Sequence, residues 1–169
     1  MPKCKHCKEP YKKERINQIV CSPECAYKLQ SKAKDKIEKA ETKVKKEKLK
    51  TYTQKVNDAK KVFQKWIRNR DAGHNCISCN AVIGSGVAHA GHYKKSEIYR
   101  GVIFNELNVN VQCVKCNLYL NGNEANYRIG LVAKIGEQKV KELENLADQT
   151  RKYKYSDAEL DAIKKQYKI

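Results

Sequence analysis

From Glu24 to Ala72 the chain contains neither glycine nor proline, and Gly73 then supplies a stop, so the pattern predicts one helix or two nearly continuous helices. At 1.5 Å per residue that stretch would run about 70 Å. Apolar residues recur at Leu49, Tyr52, Val56, Ala59, Phe63 and Trp66 in alternating steps of three and four, which makes one narrow stripe. Ile37, Ala40 and Val44 form a weaker stripe upstream, out of step with the first between Val44 and Leu49. The plain reading is a solvated helix. The stripe favours a helix whose second half packs on the rest of the chain or on a second subunit.

Beyond Gly73 the pattern changes. Gly86-Val-Ala-His-Ala-Gly and Val109-Asn-Val-Gln-Cys read as β-like segments. A helix is expected to begin near Asn117 to Gly122 and run through Tyr127, Leu131 and Ile135 to a stop at Gly136. Another should span Glu137 to about Gln149 with Val140, Leu143 and Leu146 on one face, and a last one opens with the capping box Ser156-x-x-Glu159.

Only 40% of the 169 residues are apolar, which excludes one large core. Thirty-six basic residues against nineteen acidic ones give +17, a balance that points to a polyanionic partner, nucleic acid first. Residues 31 to 70 hold fifteen Lys or Arg and five Asp or Glu, so the faces flanking the stripe are cationic and suited to phosphates. Lys61, Lys65, Arg68 and Arg70 are candidate DNA contacts there. No run approaches the roughly 18 apolar residues of a membrane span, and no signal core follows the N-terminus, so a reducing cytoplasm is expected.

All eight cysteines fall into close pairs, as metal ligands do and disulfide scaffolds rarely do. Cys4, Cys7, Cys21 and Cys25 form a first zinc site. Ser22 suits an N-cap and Pro23 the first helical position, placing Cys25 in an opening helical turn as in a treble clef. His6 lies inside this knuckle but is surplus to four thiols. Cys76, Cys79, Cys113 and Cys116 form a second structural zinc site, which replaces the hydrophobic core that a small unit lacks.

Inside the second site lie His89 and His92, and Asn117 follows its last thiol directly. Phosphodiester hydrolysis needs a base and a divalent cation near one phosphate. His92 is the candidate base, since an imidazole of pKa about 6.5 accepts protons at neutral pH. Asn117 offers the hard amide oxygen that magnesium or manganese prefers, and His89 is the candidate second ligand of that one catalytic ion. His89 and His92 are an odd number of residues apart, so a turn or bulge at Gly91 is expected to bring them together. Tyr93, Lys94, Lys95, Tyr99 and Arg100 place rings and positive charge beside them, suited to stacking and phosphate contacts. Asn121 and Asn123 are weaker candidates to assist the cation, and His74 at most a phosphate contact.

The pattern resembles the HNH superfamily, whose zinc-bound ββα unit carries a histidine base, a central asparagine and a terminal histidine or asparagine as metal ligand. It is closest to the subgroup typified by phage endonuclease VII, with two Cys-x-x-Cys knuckles and an asparagine after the last cysteine, here Asn117. The resemblance implies that Asn108 orients the base. It also implies an acidic metal ligand immediately before the base, where this chain has Gly91. A narrower resemblance spans nearly the whole chain. Phe63-x-x-Trp66-Ile-Arg-x-Arg-Asp-Ala-Gly73, Cys-Ile-Ser-Cys, His-Ala-Gly-His-Tyr, Phe104-Asn-Glu, Gln-Cys-x-x-Cys-Asn and Gly122-Asn with Tyr127-Arg-Ile are similar to the NinG or Rap family of lambdoid phage recombination proteins. That implies an endonuclease for branched double-stranded DNA, Holliday junctions and D-loops, in the host cytoplasm, leaving a 5′ phosphate and a 3′ hydroxyl.

The expectation is therefore an α+β protein: a Cys4 finger at 1–30, a long basic helix at 31–72, a ββα-metal nuclease domain at 73–136 and closing helices at 137–169. Two symmetric cuts in a four-way junction would suit a homodimer, and recombination proteins of host or phage are candidate partners. The competing expectation is a noncatalytic zinc protein that binds DNA or RNA.

Overall fold

The structure, a computed structural model, describes residues 1–84 and 88–169, so Gly86 and Val87 of the first β-like segment lie outside the described residues. The chain divides into two compact units, Met1–Lys50 and Thr51–Ile169.

In the first unit a short antiparallel bridge, Lys3 with Pro10, closes the Cys4–Cys7 turn, and α1 follows over Pro23–Lys48. Ser22 caps α1 by accepting from the Cys25 N–H, and Pro23 opens it, as the sequence implies. No residue of α1 is buried, and Ile37 and Val44 are exposed. Its upstream stripe therefore packs on nothing within its own unit. Lys45, Lys46 and Lys48 in the last turn complement the negative end of the helix dipole.

The long helical stretch is two helices. α1 ends at a Leu49 cap, and Thr51 starts α2, Tyr52–Arg70, through a full capping box with Gln54. The break falls just after the stretch from Val44 to Leu49 in which the two apolar stripes lose step. Ala59, Phe63 and Ile67 of α2 are buried, so the second half does pack on the rest of the chain.

The second unit is built around a two-stranded antiparallel hairpin, β1 (His89–His92) and β2 (Val109–Gln112), paired His89 with Gln112, Ala90 with Val111, Gly91 with Asn110 and His92 with Val109. Strand alternation gives the hairpin two faces. Ala90 and Val109 join Phe63 and Ile67 of α2, Phe104, and Leu160 and Tyr167 at the C-terminal end in one core. Phe63 sits edge-on to Phe104 at 5.8 Å and to Tyr167 at 4.8 Å. Tyr93, following β1 on the other face, joins Tyr127 and Leu131 of α3 (Glu124–Ile135) and Val140, Leu143 and Ala147 of α4 (Glu137–Gln149) in a second core. On α4 the buried position is Ala147, while Leu146 is 40% exposed. α5, Asp157–Gln166, opens with the Ser156–Glu159 capping box and packs on α2.

The described unit is thus helix-rich with one small sheet. α3 begins later than the apolar pattern suggests. A single π-helical turn, Lys115–Tyr119, carries Cys116 and Asn117, and positive φ angles at Asn121, Gly122 and Asn123 then turn the chain into α3. No helix among the described residues is long and apolar enough to cross a membrane.

Candidate functional site

Both sets of four cysteines converge, with the sulfurs of each set within 4.8 Å of one another. Tetrahedral zinc with bonds of about 2.3 Å holds thiolates about 3.8 Å apart. Cys79 and Cys113 are 3.8 Å apart, Cys7 and Cys21 3.6 Å, and Cys21 and Cys25 3.5 Å. Burial of Cys4 opposes ionisation, but backbone bonds from Cys7, Cys21 and His6 outweigh it and hold the thiol near about 6. For Cys76, bonds from Cys113, Cys79 and Ser78 likewise overcome burial and hold it near about 7. Sharing protons with Cys25 and its other neighbours pushes Cys21 up to about 12, and burial pushes Cys116 to the same range. Four sulfurs this close cannot all ionise without a cation among them. Each set can therefore hold one structural zinc.

The second cluster fixes what lies beside it. The Asn117 N–H donates to the Cys113 carbonyl at 3.0 Å, and the Asn123 side chain donates to Cys116 Sγ at 3.4 Å. Asn123 thus supports a thiolate rather than a separate cation. Gly130 lets α3 press on the knuckle, since a Cβ there would stand 1.9 Å from the Ile77 carbonyl oxygen.

Asn117 meets the hairpin at His89, its Nδ2 donating to His89 Nδ1 at 2.9 Å. Both residues are partly exposed. His89 shares its face with its cross-strand partner Gln112 and with Gly91. Gln112 is fully buried, and its Nε2 donates to Ser78 Oγ at 2.7 Å and to the Gly122 carbonyl at 2.8 Å. Those two bonds leave Gln112 Oε1 buried without a donor among the described residues, in the space a Gly91 side chain would fill. His6 Nδ1, in the first knuckle, is likewise buried with no partner among the described residues.

His92 is not part of this cluster. β1 pairs without a bulge, so the expected turn at Gly91 is absent, and His92 lies on the opposite face from His89 and Asn117. Its Nε2–H donates to the Ile103 carbonyl at 3.0 Å, which leaves the lone pair on Nδ1. Burial lowers its pKa to about 4, and Lys60 adds to the shift. Asn108, expected to orient the base, makes no hydrogen bond to its ring among the described residues. Its buried amide accepts from the Lys94 N–H at 2.7 Å and donates to the carbonyls of Lys94 and Val102. Asn108 fixes both ends of the loop whose Ile103 carbonyl holds His92.

Two expected DNA contacts are structural instead. Tyr93 is 3% exposed, tilted on Tyr127 at 5.5 Å and bonded to Glu144, because it follows β1 on the face that α3 and α4 cover. Arg70 forks onto Asp71 and reaches the carbonyls of Glu106 and Val109, tying the end of α2 to β2. Lys94 pairs with Glu124 at 3.1 Å and lies over the Tyr93 and Tyr99 rings. Lys61, Lys65 and Arg100 are exposed, and Lys95 and Arg68 partly so. His74 lines a cavity of about 760 Å³ with Asp71, Cys76, Asn80 and Lys134. Gln112 escaped the sequence reading because a glutamine before a cysteine carries no signal by itself. Only strand pairing sets it opposite His89.

The chain matches the NinG family, described as "Bacteriophage Lambda NinG protein", over residues 1–169. It is 32% identical to protein ninG of Escherichia phage lambda over 185 aligned positions, covering 98% of this chain and 89% of that protein. Protein ninG of Salmonella phage P22 matches at 32% with the same coverage, and that of Escherichia phage 933W at 32% over 183 positions. No solved structure matches. The match runs over the full length of the chain, and the chain belongs to the NinG family of lambdoid phage proteins.

Proposed function

We propose that this chain is a metal-dependent endonuclease for branched DNA, built on a ββα-metal, HNH-like unit. The observation that carries the reading is the contact between Asn117 and His89, held against a rigid thiolate cluster. A carboxamide fixed this way, next to a buried oxygen that fills the side-chain space at Gly91 and has no donor among the described residues, fits a hard divalent cation, magnesium or manganese. Such an ion supplies charge neutralisation at the scissile phosphate. Asn117 positions it, and His89 holds the Asn117 amide.

His92 is the base in this reading. Its Nε2 proton is fixed on Ile103, its Nδ1 carries the lone pair, and the ring stays neutral above about pH 4. As the last residue of β1 it can meet the cation face only round the end of the strand, so the scissile phosphate must straddle that end. The exposed lysines of α1 and α2 would follow flanking phosphates. The α2 stripe is consumed by its own core, which leaves the exposed Ile37 and Val44 of α1 as the apolar contact for pairing two copies.

The placement of His92 and Asn117 on opposite faces favours a second reading, a noncatalytic zinc protein that binds DNA or RNA. Incubation of a labelled four-way DNA junction with the zinc-loaded protein separates the two. Cleavage that needs magnesium or manganese and is lost in Asn117→Ala is expected. Tight binding with no cleavage under either ion would leave only the binder.

A further inference from the structure

Gln112 is the residue that neither the motif nor the family comparison assigns. Its side chain is fully buried, yet Oε1 has no hydrogen-bond donor among the described residues, a loss that is unfavourable when nothing else compensates. The amide cannot simply be turned over. Nε2 donates to the Gly122 carbonyl and to Ser78 Oγ, and reversal would set two oxygens against each other at Gly122. Oε1 is therefore aimed by its own Nε2 bonds.

What it is aimed at follows from Gly91. A Cβ built on Gly91 would lie 1.9 Å from Gln112 Oε1 and 3.0 Å from Asn117 Oδ1, so two carboxamide oxygens crowd the place of the missing side chain. Asn117 Oδ1 faces this point because its Nδ2 is engaged by His89 Nδ1. That bond also uses the His89 lone pair, which makes His89 the group that orients Asn117 and not a ligand itself. Gln112 Oε1 and Asn117 Oδ1 both border Gly91, and Oε1 has no donor among the described residues; a pair of hard oxygens of this kind suits a divalent cation.

We infer that Gln112 Oε1 and Asn117 Oδ1 together hold the divalent cation, with Gln112 supplying from β2 the oxygen that an acidic residue at Gly91 would otherwise supply from β1. The inference rests on the nuclease reading for its purpose, but not for its test. Both donors are neutral, so the site carries no charge to draw a cation from water. Magnesium-type ions are commonly completed by substrate phosphates. The cation therefore enters with the DNA phosphate, and affinity for it is weak in the free protein and stronger in the complex. Within the protein alone, Oε1 gains a donor only if the Asn117 amide reverses to give its Nδ2 and His89 moves its proton to Nδ1 to donate to Asn117 Oδ1, an arrangement that a cation must undo.

The test is titration of manganese by electron paramagnetic resonance, on the zinc-loaded full chain alone and with a four-way DNA junction. Affinity is expected to rise at least tenfold with DNA, and Gln112→Met, which keeps the shape and removes the oxygen, should lower affinity in the complex about tenfold. Zinc content and circular dichroism check folding. Should the methionine variant misfold, Gly91→Ala displaces Oε1 by direct contact and should give the same loss. In crystals soaked with manganese, an anomalous peak should lie in bonding distance of Gln112 Oε1 and Asn117 Oδ1. Unchanged manganese affinity in a folded variant, or a peak bonded to His89 and not Gln112, overturns the inference even if junctions are cleaved. Failure to cleave junctions while wild type binds manganese and Gln112→Met does not would sink the nuclease reading and leave this site standing.

Discussion

The two thiolate clusters begin with the same turn. In each, the N–H four residues after the first cysteine bonds back to that cysteine's carbonyl, Lys8 to Cys4 at 3.0 Å and Asn80 to Cys76 at 2.8 Å, and that residue takes positive φ, 68° at Lys8 and 55° at Asn80. They differ in what stands behind the turn. The first cluster leads into a helix with no buried residue, in a unit carrying sixteen basic and seven acidic residues over positions 1–50. The second is backed by α3 at Gly130 and by two cores, and its last cysteine presents Asn117 to a paired strand. The same four-thiol clip, able to hold a zinc, thus serves two purposes. In the first unit it is nearly the whole fold, displaying charge; in the second it is a rigid mount for one side chain.

The largest expected effect separates these roles. Structural zinc in small modules is worth on the order of 10 kcal/mol. Cys116→Ser should lose one zinc per chain, unfold the Asn117 turn and abolish metal-dependent cleavage. Cys25→Ser should also lose one zinc, yet keep cleavage of a saturating substrate while weakening binding. Zinc content, circular dichroism and cleavage assays read the difference, and equal loss of cleavage in both variants would break the comparison.

Cores give the next contrast. Phe63→Ala, at a fully buried ring with three aromatic neighbours, should cost about 3–5 kcal/mol in denaturant unfolding. Ile37→Ala, at an exposed position on α1, should change monomer stability by less than about 0.5 kcal/mol. A larger change there would mean the α1 stripe is covered, and gel filtration at several concentrations would show whether a second copy covers it.

Acid should act on the second unit through His92. Burial holds its folded pKa near about 4, against 6.5 for the free side chain, so the unfolded chain takes up the proton first. Stability from this group is complete above about 6.5 and declines as the pH falls towards 4, and His92→Gln should flatten that part of the profile in thermal melts. Cleavage that depends on a neutral His92 should likewise persist below pH 6 rather than halve at 6.5.

The smallest effect lies in the first knuckle. Asparagine tolerates the left-handed region better than lysine, so Lys8→Asn, copying Asn80, should stabilise the finger by about 0.5 kcal/mol, seen as a higher melting point with zinc content unchanged.

Much of this architecture was legible in residue order because its signals are local. The Ser22–Pro23 start, the Gly136 stop and the Ser156 box act over one turn, and paired cysteines announce a metal clip whatever surrounds them. The break before α2 was legible too, in the phase slip and in Thr51-x-x-Gln54, although the absence of glycine and proline masked it.

What sequence alone determined, then, is the pair of thiolate clusters, the basic helical stretch, the periodic faces of α2 to α4, the capped start of α5, and an imidazole and a carboxamide near one clamp. What only the tertiary structure decided is which of these meet. A regular hairpin sends His89 and His92 to opposite faces, seats Tyr93 in a core, turns Arg70 inward and sets Gln112 beside Asn117. The physical reason is that strand register and side-chain facing depend on partners distant along the chain, and a one-residue change in pairing would exchange every one of those assignments.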